Sequence, residues 1–525
     1  MSFKLKRVLS NLKHDFPAGI VVSLVALPLC LGVALASTGR PDLLFSGIIA
    51  GVIGGVIVGA VSKSALGVAG PAAGLVVIVL NAITTLGSYE AFLLAVVIAG
   101  LIQILAGFLK AGIIGYYFPS SVIKGMLAAI GLILILKQIP HALGFDKEFM
   151  GNESFDAEGG HNTFTELWYA VKYSTTGAII IAVVSLAILL LFERPFMKKF
   201  QLFKFIPGAL IVVIIGIALN SLLGALSPGL AVDGQHLVQL PVAGSVEEFI
   251  GFFRMPDWSA ITNPAVYTVA ITLAIVASLE SLLSVEATDK LDPYKRNTPT
   301  NRELVAQGLG NFVSGLIGGL PVTQVIVRSS ANIEAGGKTR LSTIIHGLIL
   351  LVSVVLIPQL LNQIPLASLA AILLLVGFKL AKPALFKGMY KLGWEQFIPF
   401  VVTVAAILMT DLLKGIAIGM VVAIYYILRK NYRHSYSYMK EKDQQGEVIT
   451  IVLSEEVTFL NKGSIGLTLD NIPSNSTVVI DGRRSLDIDY DVLEIIQNFK
   501  EHTAPSRNIT VETRGISAVS SVGGH

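Results

Sequence analysis

Charge is scarce in this chain. Only 14% of its 525 residues are Asp, Glu, Lys or Arg, while 53% are hydrophobic. An ordinary soluble domain carries roughly a quarter charged residues, so a water-soluble enzyme is excluded. Cysteine is almost missing. The single residue, Cys30, rules out a disulfide framework and any cysteine-based zinc cluster. The excess of positive charge is small, a formal +4, and the basic residues lie mostly in loops, which argues against a nucleic-acid partner. What the chain has in quantity is long apolar sequence. Ala178–Phe192, Ile206–Leu223 and Leu341–Leu361 are nearly free of charge, as bilayer-spanning helices require. Fifty glycines suit close helix packing or interrupted helices in lipid. The composition predicts a polytopic membrane protein.

Met1–His14 is basic, but the apolar stretch that follows runs from Phe16 to Ala36 without a small-residue cleavage site, so it reads as a first span rather than a signal peptide. Further spans are predicted near Leu43–Val61, Gly70–Thr84, Ala91–Leu109 and Val122–Ile139. After a polar loop, Pro140–Lys172, come Thr176–Phe192, Phe205–Leu223, Pro264–Ser284, Leu304–Gly318, Val322–Ile333, Leu341–Leu361, Ser368–Leu380, Phe397–Thr410 and Leu412–Leu428. That is about fourteen segments, two of them too short to cross a core of roughly 30 Å as continuous helices. Alternate loops carry the Lys and Arg residues, for example Lys290, Lys295, Arg296 and Arg302, which predicts both termini on the cytoplasmic side of a cell inner (plasma) membrane.

Beyond Leu428 the composition changes. Residues 1–428 are expected to form the transmembrane domain, 429–446 a polar linker, 447–516 a small cytoplasmic α/β domain and 517–525 a disordered tail. Val448–Leu453, Thr477–Ile480 and Ile509–Glu512 read as strands and Tyr490–Lys500 as an amphipathic helix. No Gly-rich phosphate loop and no metal-spaced His or Cys cluster accompanies them.

The two short spans are the most informative feature. Gly67-Val68-Ala69-Gly70-Pro71-Ala72-Ala73-Gly74 opens the first, with Pro71 suited to a first helical turn. Gly318-Gly319-Leu320-Pro321-Val322-Thr323-Gln324 opens the second. Either cluster alone is equally well read as a kink. Paired at matching places in two sets of seven spans, they point to an inverted-repeat transporter whose half-helix N-termini meet near the midplane. Free N–H groups and positive dipole ends there make an anion site.

Two of the charges within the spans stand out. Arg328 follows the second break, and anion attraction is favoured for it over snorkelling to headgroups. Glu280 lies deep in its span, with Ser284 four residues on and on the same helix face. Such a carboxylate can hold a proton or a cation and so couple transport to H+ or Na+; a structural ion pair is the alternative. Cys30 reads most simply as a small packing residue. Pro28 interrupts the first span. His141, His161 and His236 fall in predicted loops, where a solvated surface role is expected.

Asp15-Phe16-Pro17-Ala18-Gly19, the Pro28 break, Gly67–Gly74, Ser278–Ser284 and Val327-Arg328-Ser329-Ser330-Ala331-Asn332 through Gly336-Gly337-Lys338-Thr339 together resemble the sulfate permease (SulP) family. The resemblance covers nearly the whole chain. It implies fourteen segments in a 7+7 inverted repeat with uracil-permease-like core and gate domains, an elevator-like movement, and commonly a homodimer. It also implies that Gly70, Pro71, Ala72 and Ala73 together with Thr323, Gln324 and Val325 cradle the anion near Arg328, with Leu29 and Cys30 of the first span beside them. Glu280 matches an acidic position that helps bind sodium in the bicarbonate transporters of the family. This chain departs from the family pattern at Leu29 and Val33, where a polar side chain and an aromatic wall are lost. It departs again at Gln324-Val325-Ile326, where a hydroxyl of the presumed sodium site is lost. The tail resembles a shortened STAS-type domain in which Asp487-Ile488-Asp489-Tyr490 replaces the usual phosphorylation turn.

The expected function is secondary active transport of a small inorganic anion, bicarbonate or sulfate, coupled to Na+ or H+ through Glu280 and Ser284, without a resident cofactor. A dicarboxylate or chloride exchanger of the same architecture, a nucleobase symporter and a passive anion channel are the rivals. A membrane enzyme is disfavoured, because no nucleophile–base pair or metal constellation lies in the spans.

Overall fold

Backbone amides cannot go unpaired in hydrocarbon, so apolar runs of this length fold as helices. The computed structural model of the chain describes residues 3–147, 150, 162–194, 207–433, 436–443 and 446–516. Its first seven spanning segments are α1 (Phe3–Thr38), α2 (Phe45–Ile53, continued through a π turn at Gly54–Val58 to Val61), α3 (Val76–Leu86), α4 (Tyr89–Phe108), α5 (Ser120–Ala142) and, after a short helix α6 (Thr163–Lys172), α7 (Thr176–Glu193) and α8 (Gly208–Leu226). The second seven are α9 (Pro264–Leu291), α10 (Thr300–Leu316), α11 (Ile326–Glu334), α12 (Leu341–Leu356), α13 (Leu366–Leu380), α14 (Trp394–Met409) and α15 (Leu412–Arg433). The fourteen expected segments are therefore present, the third and tenth short. Helix α6 occupies the end of the stretch expected to be only a polar loop; Asn162 starts it with a capping box, accepting from the Phe164 and Thr165 amides.

Packing sorts these segments into two groups within the unit Met1–Met420. Helix α4 lies along α10 and α9, and α1 along α12 and α2; separately, α5 packs on α13 and α14, and α7 on α13 and α8. The α4–α10 contact is made by glycines. A Cβ at Gly308 would lie 2.6 Å from the Gly100 carbonyl oxygen and 2.7 Å from the Ile104 nitrogen, and one at Gly100 would lie 2.5 Å from the Phe312 nitrogen. Backbone on both sides leaves nothing to rotate away, the small-residue solution to helix packing in lipid. Gly308→Ala is accordingly expected to destabilise the protein by about 1–3 kcal/mol, read as a lowered Tm in detergent or nanodiscs. An unchanged Tm would show that the helices part freely.

The first break is not the helical turn that Pro71 suggested. Ala69–Pro71 forms a strand, β1, and α3 begins only at Val76 after a 3-10 turn at Ala73–Leu75. The second break likewise forms β2 (Val322–Gln324) ahead of α11. The extended backbone is retained because each strand supplies the other's hydrogen bonds in place of a helix.

The unit Val421–His525 carries β3 (Tyr436–Asp443), β4 (Gly446–Leu453), β5 (Thr477–Asp481) and β6 (Thr510–Arg514), side by side in that order. β3–β4 is antiparallel; β4–β5 and β5–β6 are parallel. Parallel neighbours need crossover helices, and α16 (Lys462–Asp470) and α17 (Tyr490–Asn498) fill that role. Alternate residues Ile449, Ile451 and Leu453 face a core with Ile480, Val492 and Ile496. Residues 429–446, read from their polarity as a linker, instead hold the end of α15 and all of β3, whose backbone is paired to β4 residue for residue. The expected tail at 517–525 lies outside the described residues.

Candidate functional site

Where the chain breaks, the two halves meet. β1 and β2 pair antiparallel, with Ala69 opposite Gln324, Gly70 opposite Thr323 and Pro71 opposite Val322. The amide of Val325, the N-cap of α11, extends the pairing by donating to the Val68 carbonyl at 2.9 Å. Because the strands run in opposite directions, α3 and α11 leave from opposite ends of the little sheet, and both helix N-termini border it. Surrounding side chains fix its position. Ser329 Oγ accepts from the Val68 amide, Thr343 Oγ1 donates to the Gly67 carbonyl, and Asn332 Nδ2 donates to the Leu66 carbonyl. Asp15, in the first sequence motif, accepts from the amides of Lys338 and Thr339 in the last, so the two ends of the family-like pattern touch.

Arg328 projects from α11 across the sheet and is 1% exposed. A Cβ on Gly70 would lie 2.0 Å from its Nη1, so only glycine admits the guanidinium here. Cys30 of α1 is hydrogen-bonded to the guanidinium, beside Gly51 of α2. Nε and Nη1 of Arg328 have no hydrogen-bond partner among the described residues. His346 of α12 is fully buried in the field of Arg328, and both its ring nitrogens are likewise unpartnered.

Glu280, 5% exposed on α9, reaches the same arm one step further on: a Cβ on Gly74 would lie 2.9 Å from its Oε1. It therefore borders the start of α3, where the helix dipole favours a negative charge. Ser284, one turn along α9, is also buried. A carboxylate and a hydroxyl one turn apart are oxygen donors that suit a hard cation. Neighbouring Ser281 accepts from the Gln324 amide at 3.3 Å and so ties α9 to β2.

The sequence-predicted residues Gly70, Pro71, Thr323 and Val325 are thus brought together with Arg328 and Cys30, and Ala72 and Ala73 lead from the sheet into α3. Leu29 is buried in α1 next to Cys30. Gln324 differs from expectation. Its backbone belongs to the β1–β2 sheet, but its side chain turns away to donate to Glu303 Oε1 at 2.9 Å. Glu303 went unread because it follows Arg302 at the end of a basic loop. The signal was present in α10, where Glu303, Gln307, Asn311 and Ser314 recur at helical spacing and all are buried. This polar stripe holds β2: Asn311 Oδ1 accepts from the Val322 amide, and Ser314 Oγ donates to the Leu320 carbonyl at 2.7 Å.

Two of the histidines expected at a solvated surface form a clasp instead. His141, in the last turn of α5, and His236 each bring Nδ1 to one oxygen of Asp146, at 2.5 and 2.6 Å. His161 lies outside the described residues. Burial works against the Asp146 charge, yet the bonds from His141 and His236 outweigh it and hold the carboxyl below its ordinary 3.8. The Asp146 bond raises His236 above 6.5. The His236 contribution is therefore present below pH 6.5 and is lost as pH rises through its raised value; the Asp146 contribution is present above 3.8 and is lost on acidification. Amide exchange around Val238 is expected to speed up beyond its intrinsic pH dependence between pH 6 and pH 9, and to be fast at both in Asp146→Asn. Equal protection at both pH values in the native chain would contradict the clasp.

Among the described residues no group of three His, Cys, Asp or Glu is arranged to hold a metal. The pattern of the Sulfate permease family matches residues 12–403. The Bacillus subtilis (strain 168) protein YvdB is 29% identical over 80% of this chain and 74% of its own length. The bicarbonate transporter BicA of Synechocystis is 26% identical over 86% of this chain and 76% of its own. Among solved structures, the murine Solute Carrier 26 family member A9 anion transporter superposes with a TM-score of 0.64 at 15% identity, covering 96% of this chain and 85% of that one.

Proposed function

Given that the chain belongs to the sulfate permease family, a family of membrane anion transporters, we propose that it moves a small inorganic oxyanion, sulfate or bicarbonate, by secondary active transport. The observation that carries this reading is Arg328. A guanidinium removed from water with two donors unpartnered is costly unless an opposite charge meets it. The N-termini of α3 and α11, which border the sheet from its two ends, add their partial positive charges. The anion lies over Gly70 and Thr323, contacts Arg328, and is flanked by Cys30.

Glu280 with Ser284 takes the coupling ion, Na+ or H+, next to the start of α3. The α1–α4 and α9–α12 group carries the site as an elevator against the group formed by α5, α7, α8 and α13–α15. The protein acts as a homodimer in the plasma membrane with both termini cytoplasmic, and the C-terminal α/β unit serves assembly or regulation. The bicarbonate transporter named among the relatives supports bicarbonate as substrate; the family supports sulfate.

Radiolabelled bicarbonate and sulfate uptake into proteoliposomes, under imposed sodium or proton gradients in turn, tests this. Gradient-dependent accumulation of one anion is expected. Accumulation of neither, with counter-anion exchange intact, would replace the symport reading by exchange; conductance independent of any gradient of cation or counter-anion would replace it by a channel.

A further inference from the structure

Glu303 is the most enclosed carboxylate near the site and has no role in the mechanism above. It is 0% exposed. Oε1 accepts from Gln307 Nε2 at 2.8 Å and from Gln324 Nε2 at 2.9 Å, and Oε2 accepts from Ser62 Oγ. Among the described residues it has these hydrogen bonds and no Lys or Arg partner. A carboxylate taken wholly out of water needs a compensating positive charge or a proton. The nearby Asp289 carboxylate, close enough to feel the Glu303 charge, adds to the negative field.

The two amides supply the second, independent observation. Gln307 and Gln324 are 0% and 2% exposed, yet Oε1 of each has no hydrogen-bond partner. Half a turn about the last side-chain bond of each exchanges Nε2 for Oε1 and turns both amide oxygens toward Glu303 Oε1, with the Ser62 hydroxyl at Oε2. A proton on Glu303 would neutralise the charge but gives one donor for two orphaned oxygens. A metal cation uses both. Oxygen-only donors select a hard cation, and a single carboxylate balances a single charge.

We infer that Glu303, Gln307, Gln324 and Ser62 form a binding site for a hard monovalent cation of the sodium type, separate from Glu280. The two sites lie at opposite ends of the β1–β2 sheet: Glu280 beyond Pro71, at Gly74, and Glu303 at Gln324, opposite Ala69. The cation has a mechanical role as well. Gln324 is the last residue of β2, next to the N-cap of α11. Ser62 accepts from the Ser64 amide, and Ser64 Oγ from the Gly67 amide. Occupancy therefore draws both arms of the break onto one point and sets the register of the cradle.

The test is equilibrium binding of 22Na+ to the purified full-length protein in nanodiscs, with choline as the background cation, together with the Na+-dependent rise in Tm. Binding by the native chain is expected, with one site lost in Glu303→Gln and retained in Glu280→Gln. Gln307→Leu keeps the carboxylate and the side-chain volume and is expected to weaken this site at least tenfold, so the inference stays testable even if Glu303→Gln does not fold. Native stoichiometry and affinity in Gln307→Leu and in folded Glu303→Gln, or no 22Na+ binding by the native chain, would overturn it. Anion uptake does not enter this readout, so it stands or falls separately from the transport reading.

Discussion

Arg328→Ala is expected to weaken anion binding by about 100-fold or more while leaving the unliganded protein as stable as before, or more so. Two charge-assisted hydrogen bonds are forfeited, from Nε and Nη1, and each contributes roughly 1.5–3 kcal/mol; about 1.4 kcal/mol is a factor of ten. The stability side of the prediction separates function from structure. A buried guanidinium with unpartnered donors costs free energy in the empty site, so its removal relieves the fold. Lysine restores the charge without the planar fork and is expected to fall between the two. The measurement is Tm with and without sulfate or bicarbonate, alongside the KM of uptake. A large fall in the unliganded Tm with unchanged anion affinity would make Arg328 a structural residue.

The second large effect is expected at Glu280. Glu280→Gln preserves volume and removes the charge that borders the start of α3. Accumulation driven by a cation gradient is expected to drop at least tenfold, to the level seen without a gradient, while anion exchange at equilibrium survives because the cradle and Arg328 are untouched. The readout is uptake with and without the gradient, in protein of matched expression and Tm. Unchanged gradient-driven uptake would take Glu280 out of the coupling mechanism. Combined with 22Na+ binding, the same variant distinguishes a protein that has lost its coupling ion from one that still binds Na+ at Glu303 but no longer couples it to transport.

Much of this architecture was legible in the sequence because hydrocarbon imposes strong rules. Apolar runs such as Ala178–Phe192 announce helices by length alone, and the paired Gly-Pro clusters before Val76 and Ile326 mark interruptions by their own chemistry. What lay beyond reading has equally physical causes. Strands of three residues, Ala69–Pro71 and Val322–Gln324, have no periodicity to detect, and their stability comes from a partner some 250 residues away in the chain. Gln324 was assigned to the cradle by position, since sequence does not say on which side of a strand a partner waits. Glu303 was hidden by its basic neighbours, and His346 by an apolar run in which one imidazole changes little. The His141–Asp146–His236 clasp joins residues separated by 5 and 90 positions, a closure that only tertiary packing provides.

The strand pair at the break is held largely by main-chain N–H groups of β1, β2 and their flanks, which donate to one another and to Asn311, Ser281 and Ser329, and this bears on how such a protein diverges. Peptide amides are the same whichever side chains hang from them. Substitutions at the break that keep Gly70 and Arg328 therefore change the side chains around the strand pair while its register is kept. Relatives at 26–29% identity can keep one backbone plan and still differ in the side chains that surround it.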